Sequence, residues 1–218
     1  AEAGDEVNEC CRVLARTGDN VVGEVLRGQG TFYEYNHCPA GDVYDYETHA
    51  QYYYHAHRKG EHGHFHTYLR EKGMPEGCEP VEQSDAEYMT QRDDKLSHLV
   101  AISMDRRGVP IAMFTTNRWV TAENWYAAQD VCAMVDRFKI DHAQPSWATN
   151  RWVTVMLRLF RPQIVELLHE RDAVVAEWRK RHGDTDVFED RSLDLPSWIE
   201  ISMDAHIRAV RAALEARR

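Results

Sequence analysis

Apolar positions along the chain follow two periods, which divide it into helical ends and an extended middle. Over residues 5–16, Val7, Cys10, Cys11 and Leu14 fall on one helical stripe. Gly18-Asp19 interrupts it, and a second helix is expected from Asn20 to Arg27, ended by Gly28 and Gly30. Thr31 to Tyr35 suits a short strand, and Pro39 to Asp42 a turn. The period then changes to two. Residues 47–58 and 61–70 read as the arms of a β-hairpin. Lys59-Gly60 serves as a two-residue turn, since Gly takes the positive φ that such turns need.

Beyond the hairpin, residues 71–95 form a polar connection broken by Gly73, Pro75, Gly77 and Pro80. His98 to Met104 predicts a strand, Asp105 to Gly108 a type I turn, and Val109 to Thr116 the returning strand. Thr121 is expected to cap a helix from Ala122 to about Lys139, with Trp125, Ala128, Cys132 and Val135 inward. Trp147 to Phe160 predicts another helix. Pro162 either starts a new helix or kinks a continuing one toward His182. Residues 183–196 read as a loop, and Ser202 as the cap of a last helix through about Ala216. The hexapeptide Thr-Asn-Arg-Trp-Val-Thr occurs at 116–121 and 149–154, with no longer self-similarity to make a repeat architecture. The expected fold class is α+β: a central antiparallel β-sheet of two hairpins, flanked by N-terminal helices and a C-terminal helical region. One domain over 1–218 is expected, with helices in 1–30, the sheet in 31–121 and the helical part in 122–218.

The first hairpin is unusual for what lies on one of its faces. Six of the chain's 12 histidines fall between His49 and His66. With strand alternation, His49, Gln51, Tyr53, His55 and His57 share a face, as do His62, His64, His66, Tyr68 and Arg70. A Lys59-Gly60 turn pairs His57 with His62, His55 with His64, Tyr53 with His66 and His49 with Arg70. It merges the two rows into one imidazole ladder. The opposite face carries Ala50, Tyr52, Tyr54 and Ala56 against Leu69, Thr67, Phe65 and Gly63. Tyr54 opposite Phe65 is an aromatic cross-strand pair worth roughly 0.2–1 kcal/mol.

Composition narrows the function classes. The 43% hydrophobic content, with six Trp and ten Tyr, supports a sizeable core. A formal charge of −10 argues against nucleic acid, which needs a basic surface. No apolar run suits a membrane span. The five cysteines, Cys10, Cys11, Cys38, Cys78 and Cys132, are odd in number and scattered, so a reducing cytoplasm is expected. No glycine-rich phosphate loop, nucleophile elbow or HExxH motif occurs.

Neutral imidazole is a common ligand for transition metals, and this donor set suits Zn, Fe, Cu or Ni. His55, His57, His64 and His66 are the expected ligands, with His98 as an extra ligand or as a partner that orients one. On the same face, Arg70 could hold an anion and Tyr53 could donate a proton or position a ligand. Asn117 and Arg118 could line the same pocket, although an Arg stacked on Trp119 is as reasonable. His37, His142, His169, His182 and His206 read as isolated. The bland use of the ladder is a solvated polar face or a pH sensor, most of all for His49 and His62.

His55-Ala-His57-Arg-Lys-Gly-Glu61 has the form HxHx₃E and resembles the first metal motif of the cupin family. The resemblance implies one metal on His55, His57 and Glu61, with a third histidine from a later strand, a role open to His98. The flanking cupin glycines and the second cupin motif are absent. A tight Lys59-Gly60 turn puts Glu61 on the face opposite the histidines, and only a corner before Glu61 would reconcile the two. More widely, Gly63 to Arg70, His98 to Asp105 and Phe114 to Thr121 resemble a family of uncharacterised bacterial proteins. That resemblance spans most of the chain and implies no activity.

The functional expectation is a transition-metal-binding protein, an enzyme acting on a small anionic molecule through the histidine face. The competing expectations are a non-catalytic metal or haem carrier or sensor, and an interaction subunit of a larger complex.

Overall fold

A computed structural model describes residues 1–82, 95–183 and 185–216. The connection expected over 71–95 therefore lies outside the described residues at 83–94, as does residue 184 of the later loop.

Two short helices open the chain, α1 (Glu2–Ala15) and α2 (Val21–Leu26). Asn20 caps α2, its side-chain oxygen accepting from the Val22 and Gly23 N–H groups at 3.0 and 3.1 Å. Six strands follow in a single antiparallel sheet ordered as in sequence: β1 (Cys38–Tyr44), β2 (Ala50–His55), β3 (Gly63–Arg70), β4 (Leu96–Met104), β5 (Pro110–Thr115) and β6 (Ser197–Glu200). Four helices, α3 (Arg118–Thr121), α4 (Ala128–Val135), α5 (Trp147–Leu159) and α6 (Arg161–His182), separate β5 from β6, and α7 (Met203–Glu215) closes the described chain. The architecture is α+β with helices at both ends of the sheet.

The central strands β2, β3 and β4 are buried on both faces. Tyr52, Tyr54, Phe65, Leu69, Val100, Ile102 and Met113 belong to the main core with α1, α2, α4, α5 and α6. Trp152 of α5 lies 5.7 Å from the Phe65 ring, and Tyr52 Oη donates to Asn150 Oδ1 at 2.6 Å. The other face carries the histidines. A satellite cluster of Trp125, Val175, Val187, Phe188 and Leu193 forms a separate apolar patch.

The central hairpin pairs as the sequence predicts, Tyr53 with His66, Tyr54 with Phe65 and His55 with His64. The ladder stops there. His57–His62 and Arg58–Glu61 do not pair, because residues 56–62 leave the sheet as a wider loop and the His62 N–H bonds the Met104 carbonyl instead. The turn at Lys59-Gly60 is present, with Gly60 at φ +94°.

Other expectations are corrected by packing. Thr31 to Tyr35 is not a strand. The turn expected at Pro39 to Asp42 is an irregularity inside edge strand β1, where Gly41 and Asp42 have φ of 86° and 63° and the missing Pro N–H is tolerated. The helix expected from Ala122 begins at Ala128. Thr121 ends α3 rather than capping a helix, and the Ala128 N–H is met at 2.6 Å by Asp172 of α6, a cap from another element. Trp125 precedes α4 and packs on Phe188 at 5.0 Å, with the Arg171 guanidinium 4.1 Å over its ring. Pro162 starts a new helix, in the first turn of α6. β6 was not expected, being only four residues between Pro196 and the Ser202 cap. The repeated hexapeptide spans a loop and α3 at 116–121 but lies inside α5 at 149–154.

Candidate metal centre

His55 comes from the end of β2 and His64 from β3, directly opposite each other. Their Nε2 atoms are 2.8 Å apart. His57 lies two residues past His55, where the strand opens into the loop, and its ring centroid is 4.8 Å from that of His55 and 5.0 Å from that of His64. One ligand atom from each of His55, His57 and His64 falls within 4.8 Å of the others, so this triad could hold a metal ion. Two nitrogens on one ion at about 2.0–2.1 Å, meeting at an ordinary bond angle, are about 3 Å apart. The His55–His64 distance is close to that.

The tautomer of His64 is set by Glu61. His64 Nδ1–H donates to Glu61 Oε1, and the Ser103 hydroxyl donates to Glu61 Oε2. With Nδ1 protonated, His64 Nε2 carries the lone pair and points at His55. A carboxylate behind an imidazole is the usual device for orienting a metal ligand. Burial pushes the Glu61 carboxyl up, but the bonds from His64 and Ser103 outweigh it and hold the group below its ordinary range. His55 Nδ1 is buried without a hydrogen-bond partner, at a residue only 8% exposed.

His55, His57 and His66 are pushed toward the neutral form. Burial, then the neighbouring His64, His57 and His37, push His55 down to about 2. His57 is lowered by burial and by His64. His66 is lowered well below its ordinary value by burial and then by His64, His98 and His55. The neutral form is the one that ligates.

His66 and His98 make a second pair beside the triad. His66 Nδ1 and His98 Nε2 are 2.9 Å apart, and His98 Nδ1 reaches Thr116 Oγ1 at 3.3 Å. Burial, with a contribution from Arg171, pushes His98 down to about 3. Its backbone N–H donates to Glu123, a carboxyl that burial pushes up to about 8. His98 faces the histidines because of a bulge: Thr67 pairs with Val100, but Tyr68 pairs with His98.

A family model described as a domain of unknown function (DUF6969) matches residues 1–201. The chain belongs to that family. No curated protein and no solved structure matches it.

Of the remaining residues expected at the site, Tyr53 is close and Arg70 is not. The Tyr53 ring is 5.2 Å from that of His66, and its hydroxyl is 2.8 Å from that of Tyr68. Arg70, at the far end of β3, donates from Nε to Gln51 at 2.8 Å and lines a cleft of about 580 Å³ with His37, Asp42 and Tyr44. Asn117 caps α3, and Arg118 lies 5.5 Å over Phe188 and bonds Glu189, so neither lines that cleft. The residue stacked on Trp119 is Arg191.

Four positions change their standing. His37, expected to be isolated, stacks on Tyr53 at 3.5 Å and lies 5.7 Å from His55. His62 leaves the ladder, and His49 keeps a backbone bond from the Arg70 N–H at 3.0 Å. His49 sits before β2 at φ 60° and bonds the Tyr44 hydroxyl, while His62 stacks on Phe32 and Tyr54. Glu61 is on the histidine side, contrary to the tight-hairpin expectation, because the loop folds it back over Ser103. The HxHx₃E spacing was the signal for it, but its carboxylate meets the His64 ring. The third histidine of the triad is His64, not His98.

Proposed function

We propose that the protein is a metal-dependent enzyme whose centre is a single transition-metal ion on His55, His57 and His64. The observation that carries this reading is the convergence of the three imidazoles, with Glu61 fixing His64 so that its lone pair faces inward. Three imidazole ligands suit Zn, Fe, Cu or Ni. Three protein ligands leave a position for water or substrate, as catalytic rather than structural sites do. A carrier or buffer would favour an exposed cluster, whereas His55 and His64 are buried. His66 and His98 flank the centre and line its buried side. A small anion remains the expected substrate, since a metal cation with neutral ligands attracts negative charge.

Elemental analysis of protein purified without an immobilised-metal column tests the reading. One equivalent of metal is expected, and it should be lost in a folded His55→Ala/His64→Ala variant. Absence of stoichiometric metal, with uptake the same in the variant, overturns the proposal.

A further inference from the structure

Two hairpin tips meet beside the histidine centre. The β2–β3 loop supplies Arg58 and Lys59, and the β4–β5 turn supplies Arg106 and Arg107. They bound two clefts of about 580 and 520 Å³ that share Gly60 and Glu61. The larger is walled by Ile111, Leu195, Trp198 and Ile201, with Ser103 and Glu61 on its inner side. It therefore shares a side chain with the centre, since Glu61 is bonded to His64. Phe114 makes a second link: its ring is 5.2 Å from that of His64 and stacks at 5.3 Å on Trp198.

The charge at this place differs from that of the chain, whose formal net charge is −10. Four basic residues face four acidic ones, Glu61, Asp105, Asp194 and Glu200, so the place is locally balanced. Arg107 is taken up by Asp105 at 3.0 Å. Both Glu61 oxygens accept hydrogen bonds, from His64 and Ser103. Arg58 is held more loosely: it meets Asp194 at 3.4 Å, lies 5.3 Å over Phe114, and its side chain is 22% exposed. A planar guanidinium beside an apolar wall suits a carboxylate with an apolar body. Trp198 offers such a body a shelf, being 44% exposed despite its stack on Phe114.

We propose that this cleft binds an amphipathic carboxylate, with its head on Arg58 and Lys59 and its aliphatic or aromatic body against Trp198, Ile111 and Leu195. The cleft thereby delivers this substrate class to the centre, a second step that rests on the metal reading. Arg70 is not the anchor, because it lines a different cleft, where it donates to Gln51 and Gln51 donates to Asp42.

Isothermal titration with phenylacetate, hexanoate and the neutral phenylacetamide tests binding on metal-free and metal-loaded protein. Both carboxylates are expected to bind in the millimolar range in either form, with the amide about tenfold weaker. Arg58→Gln should weaken phenylacetate about tenfold and Trp198→Ala several-fold, while Arg70→Gln leaves it unchanged. No binding by wild-type protein, or binding lost with Arg70→Gln and kept with Arg58→Gln, overturns the assignment. Adjacency to the centre is read from the visible spectrum of cobalt-substituted protein, which phenylacetate should shift; an unmoved spectrum at saturating phenylacetate overturns the delivery step. If phenylacetate binds a protein that takes up no metal, the metal reading fails and the cleft assignment stands.

Discussion

Replacing Glu61 separates an orienting role from a merely structural one. The Glu61 side chain is 4% exposed and accepts from His64 Nδ1 and Ser103 Oγ. Glu61→Ala removes both acceptors, and each buried donor left unpaired costs about 1–3 kcal/mol. The lower end applies, because the adjoining cleft can admit water. The His64 ring also loses the partner that fixes its tautomer. Loss of such a partner lowers metal affinity about 10–100-fold, or about 1.4–2.7 kcal/mol. Glu61→Gln keeps the volume and one acceptor oxygen, so about tenfold is expected. Competition for Zn(II) against a chromophoric chelator gives the affinities, and thermal melts of metal-free protein report folding. If Glu61→Gln folds and binds zinc within twofold of wild type, Glu61 does not orient a metal ligand.

Tyr52→Phe removes a buried hydroxyl that donates to Asn150 Oδ1 at 2.6 Å, and urea unfolding should show a loss of about 1–3 kcal/mol with metal binding retained. Asp45→Asn tests a pH dependence. Burial pushes the Asp45 carboxyl up, but bonds from the Asp141, Thr48 and Glu47 N–H groups hold it below its ordinary value. Its stabilisation is therefore complete above the unfolded value and is lost as pH falls through the lower folded value. The variant should be less stable by about 1 kcal/mol at pH 7, allowing for solvent screening, and the gap should close on acidification; a gap that widens contradicts the assignment. Gly63→Ala would bring a Cβ within 2.6 Å of the His55 carbonyl and the Tyr54 hydroxyl. A cost of about 1–3 kcal/mol and weaker metal retention are expected from chemical denaturation and elemental analysis.

Much of the fold was legible locally. Helix caps at Asn20 and Ser202 are side-chain–backbone bonds within three residues, so their sequence signature is complete in itself. The hairpin register was equally legible, because the Lys59-Gly60 turn sets the alignment and a one-residue slip would put the histidines on the Tyr52 side. By contrast, the start of α4 was hidden because its cap is Asp172, 44 residues away. β6 was hidden because four residues carry too little pattern, and its edge pairing to β5 decides it.

The sequence by itself pointed to His55 opposite His64, since strand alternation with a turn at Lys59-Gly60 sets that register, and the structure has it. The tertiary structure alone decided the rest of the centre. Glu61 reaches His64 because the ladder ends at His55 and the loop folds back toward Ser103 of β4. His98 turns to the histidine face because a bulge at Thr67–Tyr68 inserts one residue, which reverses the facing of everything beyond it. His37 arrives from a segment with no regular structure, laid over Tyr53. Apart from Glu61–His64, which are three residues apart but brought together by the contact with Ser103, these contacts join distant parts of the chain, and no local period encodes them.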